Sequence, residues 1–87
     1  MTLLAMQDQI MPALGRVRSI LYEVQVQTEQ TAIEHERMAA WHTKRGEQAA
    51  ARMERRAAAV QQQRLADLDA AFGALQKAIS TALGLDS

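Results

Sequence analysis

The stretch at residues 65–79 reads LADLDAAFGALQKAI, and its large apolar side chains recur in steps of three and four residues. They are Leu65, Leu68, Phe72, Leu75 and Ile79, and Ala82 continues the spacing. Such a heptad pattern is typical of one face of a helix that packs lengthwise against a second helix. This stretch therefore predicts an amphipathic helix that needs a partner helix.

A second stripe with the same spacing covers residues 10–42. It runs through Ile10, Leu14, Val17, Leu21, Val24, Thr28, Thr31, His35, Met38 and His42, and it turns polar from Thr28 onward. The apolar residues between the two stripes, Met53, Ala57 and Val60, follow a different frame. A stutter between Val60 and Leu65 would reconcile the frames.

The composition favours helix throughout the 87 residues. Ala, Gln, Leu, Arg, Glu and Met dominate, whereas the residues that favour strands are sparse. Pro12 suits the first position of a helix, and Gly84 suits a C-terminal stop. We therefore expect a single helical domain over residues 1–87, with a helix over 12–44, a second over 47–83, and an N-terminal arm or short helix over 1–10.

Gly46 is the only helix breaker near the middle of the chain. A fold symmetrical about Gly46 pairs the two apolar stripes, as Val24 with Leu68, Leu21 with Phe72, Val17 with Leu75, and Leu14 with Ile79. The prediction is an all-α antiparallel helical hairpin, coiled-coil-like, with its turn near Gly46. The alternative is one continuous helix that makes the same pairs in an antiparallel dimer, because glycine inside a helix costs only about 1 kcal/mol.

The chain is short and contains no cysteine. A domain of this size buries little apolar surface by itself, and disulfides cannot reinforce it. We therefore expect a homo-oligomer, with two hairpins dimerising into a four-helix bundle. Leu4, Met11, Ile20, Ile33 and Trp41 lie off the main stripe and would supply the second packing surface.

Several functional classes find no support in the sequence. There is no cysteine nucleophile, no glycine-rich phosphate loop and no serine with a histidine nearby, so we expect no enzyme and no cofactor. No apolar run reaches the roughly 18 residues of a membrane span. The opening residues MTLLAM lack the basic segment of a secretory signal, which predicts a cytoplasmic location.

The favoured hypothesis is a non-catalytic protein-binding module, such as a small adaptor, chaperone or inhibitor. An apolar helical face that accepts a partner helix would be its mechanism. The candidate partner-binding or oligomer residues are Leu14, Val17, Leu21, Val24, Leu65, Leu68, Phe72, Leu75, Ile79 and Trp41. Trp41 is included because exposed tryptophan is enriched at binding hot spots.

Two alternatives rest on other features. Residues 37–64 carry seven basic and two acidic side chains. The basic patch consists of Lys44, Arg45, Arg52, Arg55, Arg56 and Arg64, and it would suit a nucleic-acid-associated or regulatory protein. Aromatic residues that stack on bases are nearly absent, so nucleic acid is the less favoured partner. The second alternative is a structural subunit of an open-ended helical assembly.

His35, Met38 and His42 share one helix face, at relative positions i, i+3 and i+7. The favoured interpretation is that they are polar seam residues that set the helix register. Metal binding and pH sensing are weaker hypotheses for the same residues.

Overall fold

The computed structural model describes residues 3–84 and shows an antiparallel hairpin of two long helices. Helix α1 spans Leu3–Lys44 and α2 spans Gln48–Ala82, joined by a three-residue turn at 45–47. The hairpin measures 65 × 19 × 17 Å. The predicted all-α hairpin with its turn near Gly46 is confirmed, and the alternative of one continuous helix is not what the chain adopts.

The turn ends α1 with a Schellman motif. The Gly46 N–H donates to the carbonyl of Thr43 (3.0 Å), and the Glu47 N–H donates to the carbonyl of His42 (2.9 Å). These bonds satisfy carbonyls that the helix end leaves free, and they require a left-handed residue between them. Gly46 supplies it with φ +76°, a conformation that glycine adopts without a Cβ penalty. One glycine therefore suffices to reverse the chain.

The expected arm or short helix over residues 1–10 is not separate from the expected helix over 12–44, because one helix covers both. The helix is already formed at Leu3, so Pro12 lies inside it and not at its first position. The helical bond from residue 12 to the carbonyl of Asp8 cannot form, because proline has no N–H. Met6 and Ile10 are half-buried, and this packing holds the first turns in helix despite the proline. Residues 1 and 2 of the predicted arm lie outside the described part.

The contact between the helices changes in character along its length. Toward the turn it is lined by small residues, and Ala32, Ala39, Ala51 and Ala58 are all buried. Toward the open end it is lined by the half-buried side chains of Leu14, Leu21, Leu65, Leu68, Phe72 and Ile79. Leu83, directly after α2, is 2% exposed and is the one large side chain that is buried between residues 4 and 84. The hairpin is thus a single thin seam without a deep core.

The seam of α2 runs in one frame from Ala51 to Phe72. It passes through Ala58 and Gln61, while Met53 and Val60 point away from α1 and are exposed. No stutter separates Val60 from Leu65. The expected stutter is wrong because alanine, and not the larger residues, fills the contact near the turn, where close helix approach favours a small side chain.

The contacts across the seam fall on both sides of the register that is symmetrical about Gly46. His35 contacts Glu54 at 2.6 Å, three residues nearer the turn than that register gives, whereas Gln62 donates to Glu36 at 2.8 Å from six residues farther along α2. Val24 and Leu68, one of the expected pairs, line the same grooves.

No helix within residues 3–84 combines the length and the apolar character needed to cross a membrane.

Candidate interaction surface

The leucine-rich residues predicted to bind a partner fall into two groups. Leu14, Leu21, Leu65, Leu68, Phe72 and Ile79 are half-buried in the contact between α1 and α2. Val17, Val24 and Leu75 lie beside that contact and remain 43%, 40% and 44% exposed. The first group is therefore largely used inside the hairpin, and the second group is left available to a partner.

Val17 and Val24 belong to an apolar groove on one side of the hairpin. Its lining is Val17, Ile20, Leu21, Val24 and Leu68, every one an apolar side chain. Val17, Ile20 and Val24 follow the i, i+3, i+7 spacing that forms a ridge along one helix face. Ile20 stands at the top of this ridge with 62% of its surface exposed. We call these five residues the apolar flank.

The flank continues toward the turn into a second groove of mixed character. Val24 and Leu68 line it together with Thr28, Ala71, Arg64 and Asp67. A carboxylate oxygen of Asp67 accepts a hydrogen bond from the side-chain amide of Gln63 at 2.9 Å. Leu75 lies one turn beyond Ala71 on the same side of α2. The apolar surface is therefore bounded by one basic and one acidic side chain.

The opposite side of the hairpin is bridged by polar contacts. The amide of Gln62 donates to Glu36 (2.8 Å), and the Arg55 guanidinium donates to the Thr43 hydroxyl (2.9 Å). Tyr22 lies on this side and is 67% exposed, and the exposed Leu4, Met11 and Ile33 share its side of α1 at spacings of seven and eleven residues. Polar bridges thus close this side toward the turn, whereas the groove on the other side is lined by apolar side chains alone.

The structure places members of the predicted basic patch on two sides of the hairpin. Lys44 and Arg55 line one groove with Glu36 and Thr43, whereas Arg64 lines the groove with Val24 on the other side. The guanidinium of Arg45 donates to Glu47 at 2.7 Å. Arg45, Arg55 and Arg64 thus each lie near an acidic or polar group of the same chain.

Trp41 belongs to a small cluster at the turn. The Arg45 guanidinium lies 4.6 Å from the Trp41 ring centroid, and the His42 ring meets the Trp41 ring edge-on at 4.9 Å. The buried Nδ1 of His42 has no hydrogen-bond partner, and a carboxylate oxygen of Glu47 lies 3.5 Å from it. Trp41 is therefore about half exposed and held by a cation–π contact, outside the seam.

The weak metal candidates do not converge on one centre. The Nδ1 of His35 contacts Glu54 at 2.6 Å, and Met38 is exposed beside the seam. His42 lies two turns beyond His35, a rise of roughly 10 Å along the helix axis. Within residues 3–84 no group of three or more His, Cys, Asp or Glu residues is placed to hold a metal ion.

Sequence reasoning missed the buried alanines. Ala32 and Ala39 are seven residues apart, as are Ala51 and Ala58, and both pairs are in frame with the leucines of their helices. That heptad spacing was a usable signal, although it is weak because alanine favours helix at exposed and buried positions alike.

Comparison with known proteins finds no matching family model, no matching curated protein and no matching solved structure.

Proposed function

We propose that this chain is a non-catalytic protein–protein interaction module whose apolar flank accepts a helix of a partner. The observation that carries the proposal is the groove formed by Val17, Ile20, Leu21, Val24 and Leu68, which is apolar throughout and open to solvent. Scattered exposed apolar residues are ordinary, whereas a contiguous group along one face is a feature of interaction sites.

The shape of the flank supports a helical partner. A groove between two antiparallel helices is long and straight, and an amphipathic helix fills such a groove with residues spaced three and four apart. The floor of the groove is formed by Leu21 and Leu68, and the Val17–Ile20–Val24 ridge forms its wall. Contacts of this kind are non-directional and area-dependent, so they suit an adaptor, a chaperone or an inhibitor alike.

A photo-crosslinking amino acid placed at residue 20 tests the proposal in the cells that produce the protein. The matched control carries the same amino acid at residue 22, because Ile20 and Tyr22 are similarly exposed but lie on opposite sides of the hairpin. We expect discrete adducts from position 20 that are absent from position 22. Adding Val24→Ser to the labelled chain should suppress those adducts, because it removes apolar surface next to the probe.

Adducts of equal yield from both positions would contradict the proposal, as would adducts from position 20 that persist unchanged with Val24→Ser. In either case the flank would not be the surface that selects the partner.

A further inference from the structure

We propose that the occupant of the apolar flank is the same flank of a second copy, so that two hairpins pair about a two-fold axis into a four-helix bundle. This inference rests on the proposed function, and it names the partner of the same surface.

The first support is the exposed area. The hairpin exposes 6522 Å². A compact monomer of 9.6 kDa is expected to expose about 5100 Å² from the scaling of surface with mass. The excess is about 1400 Å², whereas a stable complex of standard size buries about 800 Å² on each partner. The surplus therefore exceeds what one copy must contribute to a stable dimer.

The second support is that the flank carries both halves of a self-complementary contact. A two-fold interface presents the same patch twice, so the patch must hold a ridge as well as a groove to receive it. The flank has both, because Val17, Ile20 and Val24 form a ridge that stands beside the groove floored by Leu21 and Leu68. The ridge of each copy can enter the groove of the other in the ordinary mode of helix packing.

The third support is charge. Arg64 and Asp67 stand together at the edge of the flank, so the patch has one positive and one negative side chain. A patch of zero net charge does not repel its own copy, and a patch that carries both signs can pair each charge with its opposite on the second copy. The whole chain has a formal net charge of zero as well. A partner of strong opposite charge would find no complementary field here.

The test is the mass of the purified full chain by light scattering over a tenfold range of protein concentration. We expect the wild type at about twice 9.6 kDa, and Ile20→Glu at the monomer mass. Tyr22→Glu is the matched control, since it places the same charge at an equally exposed position on the other side. Because a two-fold dimer buries Ile20 twice, the dissociation constant should rise at least about 100-fold in Ile20→Glu. Circular dichroism verifies that both variants remain helical.

Three results would overturn the inference. They are a wild type that stays monomeric over the whole range, a mass that grows without limit as concentration rises, and equal dissociation by Ile20→Glu and Tyr22→Glu. A monomer that still gives adducts with a different protein from position 20 would remove the second copy as occupant but leave the interaction module intact. A wild type that is monomeric and also gives no adducts from position 20 would contradict the proposed function too.

Discussion

Replacing Gly46 with alanine isolates the contribution of one backbone angle to the hairpin. Gly46 has φ +76°, and a Cβ added there would meet nothing within 4 Å. The cost is therefore conformational and not steric crowding by neighbours. A left-handed conformation costs a non-glycine residue about 1–2 kcal/mol. The stiffer unfolded chain of the alanine variant offsets about 0.4–1 kcal/mol of this. We expect Gly46→Ala to lower the free energy of unfolding by about 1 kcal/mol.

The same substitution at Gly73 should have the opposite sign. Gly73 lies inside α2, its φ is not positive, and an added Cβ would again meet nothing within 4 Å. Alanine is favoured over glycine inside a helix by about 0.5–1 kcal/mol. In both variants the added Cβ meets no neighbouring atom, so the variants differ only in the backbone angle φ that the substituted residue must adopt. The expected gap between their stabilities is about 1.5–2 kcal/mol.

Thermal and urea unfolding followed by circular dichroism measure this gap. For a chain of this size, 1 kcal/mol corresponds to about 4–8 °C in Tm. All samples must be compared at one protein concentration, because self-association makes Tm depend on concentration. If Gly46→Ala were neutral or stabilising, the Schellman turn would not require a left-handed residue at position 46, and the explanation of the chain reversal would fail.

Three further predictions concern the seam and the start of α1. Ala51 is 0% exposed, so Ala51→Leu should lower the free energy of unfolding by about 1–3 kcal/mol. The control Ala49→Leu, at an exposed site, should change it by no more than about 0.5 kcal/mol. Equal urea midpoints for the two variants would contradict this. A double-mutant cycle of His35→Asn and Glu54→Gln should give a coupling of about 0.5–1 kcal/mol, and a coupling near zero would show that their 2.6 Å contact adds no stability. Pro12→Ala should stabilise α1 by up to about 3 kcal/mol and slow amide hydrogen exchange over residues 4–14; unchanged exchange rates there would oppose the structure's continuous helix.

The hairpin could be predicted because two independent features of the sequence agree. Each apolar stripe requires a partner helix, and Gly46 is the one residue between them that can adopt a left-handed conformation without strain. Apart from this glycine, the end of α1 needs no particular side chain. The hydrogen bonds of the turn join backbone N–H and carbonyl groups, which every neighbouring residue supplies. The turn therefore forms without a proline or a second glycine.

The frame of the seam near the turn could not be predicted from large apolar residues. Met53 and Val60 have the greater hydrophobic surface, yet Ala51 and Ala58 occupy the contact. The reason is that the polar seam residues Thr28 and His35 already lie in the frame of Leu14 and Leu21, and the helices remain in that frame as far as the turn. Burying alanine gains less area, but it allows close approach and keeps the register constant.

The start of α1 was mispredicted because a local preference was weighed without its packing. Proline is favoured at the first helical position because the N–H that it lacks would have no partner within the helix there. The half-buried Met6 and Ile10 lie before Pro12, and their burial is lost if the helix begins only at the proline. The burial of Met6 and Ile10 thus outweighs the one backbone hydrogen bond that Pro12 cannot make. The sequence alone does not reveal which of these two contributions to stability is larger.

The apolar stripe of α1 is wider than the seam it forms. A helix that packs against one neighbour needs apolar residues at two positions in every seven, whereas a helix in a bundle needs a third position beside them. In α1 the seam uses Leu14 and Leu21, yet Val17 and Val24 repeat at the adjacent position and Ile20 extends them outward. The hairpin supplies α1 with only one neighbour. This third stripe leaves Val17 and Val24 about 40% exposed and Ile20 62% exposed, more apolar surface than one neighbour covers. That surplus supports the proposal that α1 packs against a second neighbour across the flank.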